Sequence, residues 1–345
     1  MPNIDIIFFD AGGGHRATAN ALRQQLNKKD WQINVLNLRD ILDSIDPINN
    51  WFGIKVEDFY NKYIGTGLTY GSGPMLRILQ TAIKLFNSKI EEAIFNFWNK
   101  RSKPDLIISV IPNFNKQLYN GIKLAYNIPY VTIMCDLADV PPHFWMEPQD
   151  QYIICGSQKA GLQAISMGYS YNKIFSTSGM IINPKFYSTK KILPQNLFPI
   201  KGIVSYGGKG SSNILSISEM IDKSKLKDKL HINFICGNNE KLYKQLTRKK
   251  LSYSNTIIGF TDNLPELMNY CDFFMGKPGP GSISEALTKQ LPVLVEDSYS
   301  TMIQERYNVK WIELNQFGTK TKLGDVNKFD YFVDRLPEYK FNIST

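Results

Sequence analysis

No part of this 345-residue chain runs through the ~18 consecutive apolar residues that a membrane span requires. Nor does the start, Met1-Pro2-Asn3-Ile4-Asp5, place a basic region ahead of an apolar one, so no secretory signal is expected. Cysteine is scarce. Cys135, Cys155, Cys236 and Cys271 lie far apart, in or beside apolar strand-like runs, with no C-x-x-C pair and no Cys/His cluster. Metal ligation and disulfides are therefore not expected, and a reducing cytosol fits. The dinucleotide spacing G-x-G-x-x-G is also absent, so its fingerprint excludes itself.

What is present describes a folded α/β protein. Hydrophobic residues make up 43% and charged residues 21%, which excludes a disordered chain. The length exceeds one typical core, and two domains are the expectation. The formal charge is +9, and it is uneven: residues 1–180 carry 17 Lys and Arg against 15 Asp and Glu, residues 181–345 carry 23 against 16. A basic balance suits anionic lipid surfaces or nucleotides; no nucleic-acid-binding module is evident.

The stretch Gly276-Lys277-Pro278-Gly279-Pro280-Gly281-Ser282-Ile283-Ser284-Glu285-Ala286-Leu287 organises the chain. An apolar strand runs into it and a helix runs out, with proline suited to a first helical turn. Backbone N–H groups at such a helix start favour an anion. Glu285, one turn in, can reach a ribose hydroxyl. A second such turn is Tyr206-Gly207-Gly208-Lys209-Gly210, and a third is Asp10-Ala11-Gly12-Gly13-Gly14-His15-Arg16. In the third, His15 stands at the helix start, where an imidazole is poised to take a proton near neutral pH. Capping or a plain polar contact is the bland alternative.

Strands are expected at Ile4–Phe9, Ile33–Leu38, Leu106–Val110, Tyr130–Met134, Tyr152–Cys155 and Ile174–Ser176. A second set follows at Ile203–Tyr206, Ile232–Cys236, Thr256–Ile258, Phe273–Met275 and Pro292–Val295. Helical patterns alternate with them, which predicts parallel sheets covered on both faces, with ligands at the carboxyl ends of the strands. Those ends carry Gly207 and Gly208, Gly237, Phe260 and Thr261, and Gly279 to Ser282 (with Pro280 and Gly281), and beyond them Gln304 and Glu305. In the first half they carry Gly13, Gly14 and Asp136, with His143 and Trp145 on the following loop. Residues 47–100 break the pattern with clustered aromatics, glycines and an apolar helical repeat; a core-packed helix pair and a lipid-touching surface both remain open. The run Lys241–Lys250 reads as a solvated helix face, with an anionic-surface contact as the alternative.

Two Rossmann-like halves without paired D-x-D carboxylates suggest a GT-B glycosyltransferase. Asp10-Ala11-Gly12-Gly13-Gly14-His15-Arg16-Ala17 resembles the glycine-histidine turn of the monogalactosyldiacylglycerol synthase group within glycosyltransferase family 28. Ile258-Gly259-Phe260-Thr261-Asp262-Asn263-Leu264 and residues 276–287 resemble its base- and donor-binding stretches, and Gln304-Glu305 with Asn308 its Gln-Glu-x-Gly-Asn element. Pro278 stands where that group usually has alanine, and Tyr307 where it has glycine.

The resemblance implies an α/β GT-B fold of two doubly wound parallel-sheet domains facing a cleft. It implies an acceptor-binding domain over 1–185, a donor-binding domain over 200–320, and a tail, 321–345, expected to pack back on the first domain. It implies a UDP-sugar donor, a lipid acceptor such as diacylglycerol, inversion at the anomeric carbon, no metal, and a cytoplasmic, peripherally membrane-associated enzyme at an anionic surface. His15 is then the general base, Gly207, Gly208, Gly237 and Gly279–Ser282 bind the diphosphate, and Phe260 and Thr261 the base. Glu285 binds the ribose and Gln304 and Glu305 the sugar; Gly13, Gly14, Asp136, His143 and Trp145 lie on the acceptor side. A polyprenyl-linked sugar transferase, a nucleotide-sugar epimerase or hydrolase, and a non-catalytic binding module are the competing expectations.

Overall fold

A computed structural model describes residues 1–10, 13–27, 30–42, 77, 80–81, 83–140, 143–188, 199–298 and 301–344. Ala11 and Gly12, the aromatic and glycine-rich residues 47–76 and the linker-like residues 193–198 lie outside these. The chain divides into two units: Met1–Pro184 with Met302–Gln304, and Lys185–Thr301 with Glu305–Thr345.

The first unit holds one six-stranded sheet: β1 (Asn3–Phe8), β2 (Gln32–Asn37), β3 (Leu106–Ser109), β4 (Tyr130–Ile133), β5 (Tyr152–Cys155) and β6 (Ile174–Ser176), in the order β2-β1-β3-β4-β5-β6. Every pairing is parallel. Its helices are α1 (Gly14–Leu26), α2 (Leu38–Leu42), α3 (Asn87–Asn99), α4 (Asn115–Ala125) and α5 (Gln158–Ser166). The continuous apolar character of these strands follows from burial on both faces. Along β1, Ile4 and Ile6 join a cluster with Ala19 and Leu22 of α1, while Ile7, the next residue on, joins Ile94 and Trp98 of α3 and Leu118 and Ile122 of α4. The buried polar residue of this strand is Asp5, and its carboxylate accepts from Trp98 Nε1 at 2.9 Å and Asn34 Nδ2 at 2.7 Å. Residues 83–98 are thus core on their inward face: Ile83, Ile90, Ala93, Ile94 and Trp98 are buried.

The second unit repeats the plan. Its strands are β7 (Ile200–Ser205), β8 (Leu230–Ile235), β9 (Ser254–Ile258), β10 (Phe273–Gly276), β11 (Val293–Glu296) and β12 (Gly318–Thr321), all parallel, in the order β12-β11-β10-β7-β8-β9. The helices are α6 (Lys185–Ser188), α7 (Asn213–Asp222), α8 (Glu240–Arg248), α9 (Leu264–Asn269), α10 (Pro280–Thr288), α11 (Arg306–Leu314), α12 (Val326–Asp334) and α13 (Leu336–Ser344).

The terminal residues depart from expectation. Phe329, Phe332 and Val333 of α12 and Leu336 and Tyr339 of α13 belong to the second unit's own core, with Phe273 edge-on to Phe332 at 5.7 Å. Lys340 of α13 pairs with Asp272 at 2.7 Å. Burial of such side chains is worth roughly 1.5–3 kcal/mol each, so residues 326–340 are part of this core and not a tail laid on the first unit. The strand β12, Gly-Thr-Lys-Thr, has no apolar run to announce it; it is a short edge strand held by its ladder to β11.

Candidate functional site

In each sheet the strand order reverses at one place, and the crevice outside the carboxyl ends of the strands there is where such folds bind ligands. In the first unit that place is β1 beside β3. Phe8 leads into the glycine turn, Gly13 adopts φ +85°, a left-handed backbone that glycine tolerates, and α1 begins at Gly14 with no side-chain cap. Gly13 and Gly14 face open space: a Cβ on either would meet nothing within 4 Å.

His15 follows in the first turn. The ring is half-buried, with Nδ1 enclosed and unpartnered among the described residues. Burial lowers its pKa to about 4, and the Val110 backbone carbonyl at the end of β3 pulls the other way. Burial thus favours the neutral imidazole at pH 7.

The indole of Trp145 lies 5.8 Å from the His15 ring, tilted by 53°. It is fully buried, and its Nε1 donates to Asp136 Oδ2 at 2.8 Å. Trp145 and Asp136 therefore form a wall behind the imidazole and are not free surface. The loop that carries Trp145 is folded around one buried carboxylate: Asp139 accepts backbone N–H groups from Val140, Phe144, Trp145 and Met146 at 3.0–3.3 Å. His143 sits on this loop at φ +38°, with Nδ1 3.4 Å from Asp139 Oδ2. Sequence reasoning missed Asp139 as the organiser of this loop, and Glu147. Glu147 accepts the Asn115 N–H at the start of α4 at 2.9 Å, and burial raises its pKa to about 7. The D-x-x-x-x-F-W sequence of the loop holds no signal for either role, because each depends on which amides the fold turns inward.

In the second unit the reversal falls at β7 beside β10. Ser205 and Gly276 are directly paired, so the turn after β7 and the turn after β10 leave the sheet side by side. A Cβ on Gly276 would stand 2.1 Å from the Ser205 carbonyl oxygen, which is why only glycine fits there. The first turn is locked to the one after β8. The Asn238 N–H donates to the Gly208 carbonyl at 2.9 Å, and a Cβ on Gly210 would come within 2.1 Å of the Cys236 oxygen, or one on Gly237 within 2.4 Å of the Gly208 oxygen. Gly207 and Gly208 themselves face open space. Behind this turn, the buried Glu296 accepts from Tyr206 Oη at 2.6 Å and Asn213 Nδ2 at 2.8 Å.

The second turn leads to α10, with Gly279 at the N-cap, Pro280 next, no side-chain cap and no acidic residue in the first turn. Glu285 lies one turn in; burial raises its pKa to about 7. On the same carboxyl rim, after β9, the Phe260 ring is 58% exposed, and Thr261 Oγ1 accepts the Asn263 N–H at 3.1 Å. Gln304 Nε2 lies 3.5 Å from Met302 Sδ. Glu305 does not stand free for a ligand: it is buried, and its Oε1 accepts from Lys277 Nζ at 2.9 Å. Among the described residues no three of His, Cys, Asp and Glu converge as a metal site, and no helix is long and apolar enough to cross a membrane.

A family profile described as monogalactosyldiacylglycerol (MGDG) synthase matches residues 15–182, starting at the histidine of the first turn. Relatives extend the match over both units: a probable monogalactosyldiacylglycerol synthase of Nicotiana tabacum is 25% identical, covering 92% of this chain and 61% of the tobacco protein. The chain is similar to the monogalactosyldiacylglycerol synthase family, whose profile covers just under half of it. A family member from Spinacia oleracea is 26% identical over 92% of this chain and 63% of its own. The chain thus spans about six-tenths of the length of these two relatives. The fold is GT-B: MurG of Acinetobacter baumannii superposes with a TM-score of 0.63 at 11% identity, covering 99% of this chain and 94% of MurG, and the calicheamicin glycosyltransferase CalG4 with 0.61 at 12%, covering 99% and 92%.

Proposed function

We propose that this chain is an inverting glycosyltransferase that moves a hexose from a UDP-sugar to diacylglycerol or a related membrane lipid. The observation that carries the proposal is the neutral imidazole of His15 at the mouth of an open glycine turn, in a chain similar to proteins named monogalactosyldiacylglycerol synthase. The acceptor hydroxyl oxygen attacks C1 of the sugar, its proton passes to His15, and the C1–O bond to UDP breaks on the opposite face. The ring is neutral at pH 7 and so free to accept the proton, while the burial that lowers its pKa to about 4 also weakens it as a base.

Most donor roles fall to the second unit. The amides around Gly207, Gly208 and Gly279–Ser282 stabilise the leaving diphosphate as preorganised dipoles, with Gly237 holding the first of these turns in place. Phe260 stacks on the base beside Thr261, Glu285 receives the ribose hydroxyls, and Gln304 meets the sugar. Gly13 and Gly14 admit the acceptor close to the backbone, and the lipid reaches them from an anionic membrane surface on which the protein sits peripherally.

The test is a donor and acceptor screen. The chain is given UDP-galactose, UDP-glucose and UDP-N-acetylglucosamine, each with diacylglycerol or a polyprenyl phosphate in mixed vesicles, and the lipid products are weighed by mass spectrometry. A hexosyl-diacylglycerol is expected, together with loss of product in His15→Ala. Turnover of a nucleotide sugar without any lipid, or near-normal transfer by His15→Ala, would sink the proposal.

A further inference from the structure

Five non-glycine residues take a left-handed backbone among the described residues: Asp30, Asn113, His143, Gln290 and Gln316. Three of them have ordinary reasons. Gln290 and Gln316 close α10 and α11, with their own N–H groups and those of Leu291 and Phe317 turned back on the last helical turn, the common C-terminal motif. Asp30 is an exposed residue in the turn before β2. Asn113, at φ +69°, and His143, at φ +38°, end no helix. A backbone of this kind is costly, persists only where its surroundings hold it, and gathers at functional sites.

These two residues lie against each other. The Asn113 N–H donates to the Phe144 carbonyl at 2.5 Å, and Gln80 Nε2 reaches both Asn113 Oδ1, at 3.1 Å, and the His143 carbonyl, at 3.4 Å. The pair also stands beside the base. Asn113 comes three residues after Val110, whose carbonyl meets the His15 ring, and His143 two residues before Trp145, which walls that ring. Asn113 is only 8% exposed. Its amide oxygen is taken by Gln80, while its amide nitrogen has no partner among the described residues. A nearly buried N–H without an acceptor is unfavourable until a ligand supplies one, and a neutral amide matches a neutral oxygen.

From this geometry we infer that Asn113 is a specificity-determining residue of the acceptor subsite, donating from Nδ2 to an ester carbonyl oxygen of a glycerolipid whose free hydroxyl faces His15. Gln80 and the left-handed pair hold the amide for that bond: with Oδ1 committed, only the donor end is left for a ligand. This inference rests on the diacylglycerol reading of the acceptor.

Calorimetry without any donor tests it, using the short-chain ester lipid dihexanoylglycerol and its diether analogue dihexylglycerol. The analogue keeps the hydroxyl and lacks both carbonyls. Wild-type protein should bind the ester about three- to tenfold more tightly than the diether, the usual worth of one hydrogen bond. Asn113→Gly removes the amide and is at ease with a left-handed backbone, so the chain stays folded. It should weaken the ester by that same factor, leave the diether and UDP unchanged, and so bind the two lipids alike. Equal binding of ester and diether by the wild type overturns the assignment, as does a loss in Asn113→Gly shared by both lipids. The two readings fail separately. Ester binding through Asn113 with no hexose transferred from any UDP-sugar sinks the glycosyltransferase reading alone. Transfer to the ester with Asn113→Gly indifferent sinks this inference alone, and binding of neither lipid sinks both.

Discussion

The glycine turn of the first unit and those of the second are the same device, strand into turn into helix at a reversal of strand order, yet they are furnished in opposite ways. The first encloses a titratable ring and strips it of charge: His15 is neutral, walled by Trp145, and Gly13 and Gly14 beside it would each leave a Cβ in open space. The second is backbone pressed on backbone. Gly210, Gly237 and Gly276 have no room for a Cβ, and buried carboxylates, Glu296 and Glu305, brace the turns through Tyr206, Asn213 and Lys277. On the proposed function, the first suits a proton acceptor whose charge state is set, and the second suits a multiply charged group, which rigid dipoles of glycine turns locked from behind would hold.

The largest effect that would break this comparison lies in the first unit. His15→Ala should lower transfer by about 10²–10⁴-fold, the usual worth of a general base, while UDP affinity, measured by calorimetry, stays at the wild-type value. Should both fall together, the division of labour between the units is wrong.

Next come the glycines, which should respond oppositely in the two units. Gly210→Ala combines φ +64° with a 2.1 Å clash against backbone, and should cost about 1–3 kcal/mol or more in urea unfolding. Gly14→Ala meets open space and should leave the unfolding midpoint in place while impeding acceptor use.

A smaller effect sharpens the donor side. Burial holds the Glu285 carboxyl near 7, so UDP should bind more weakly as pH falls below 7, when the carboxyl protonates and stops accepting two ribose hydroxyls. In Glu285→Gln only the dependence due to the terminal phosphate of UDP, which titrates at about 6, should remain.

The smallest effect is on stability, where the two groups have opposite signs. His15 has its ordinary value of 6.5 when unfolded and about 4 when folded, so the unfolded chain binds more protons between these limits and stability falls as pH drops from 6.5 towards 4. Glu285 is raised from 4.5 to about 7, so the folded chain binds more protons there, and stability falls as pH rises from 4.5 to 7. Thermal melts of His15→Ala and Glu285→Gln across pH 4–7 should each show the slope left by the other group; parallel curves would refute the assignment of opposite signs.

Most strands were legible because a parallel sheet buried on both faces demands unbroken apolar runs, and eleven such runs appear where strands form. The twelfth, Gly318–Thr321, escaped because an edge strand can be polar and still be held by its ladder. Residues 326–340 were misplaced for a related reason: Phe329, Phe332 and Tyr339 show apolar faces, but nothing local says which sheet receives them. At the sites, the glycine turns and His15 were readable as types and spacings. The roles of Asp136, Asp139, Glu147, Glu296 and Glu305 were not, since each carboxylate binds a partner brought to it by folding.

The amino-acid order by itself determined two parallel sheets and the three turns where glycine makes room for a ligand, because periodicity and backbone permissiveness act over a few residues. Tertiary structure alone decided the charge on His15, the wall behind it, and that Glu305 holds a lysine. Burial, and the company a polar group keeps, are properties of segments far apart in the chain.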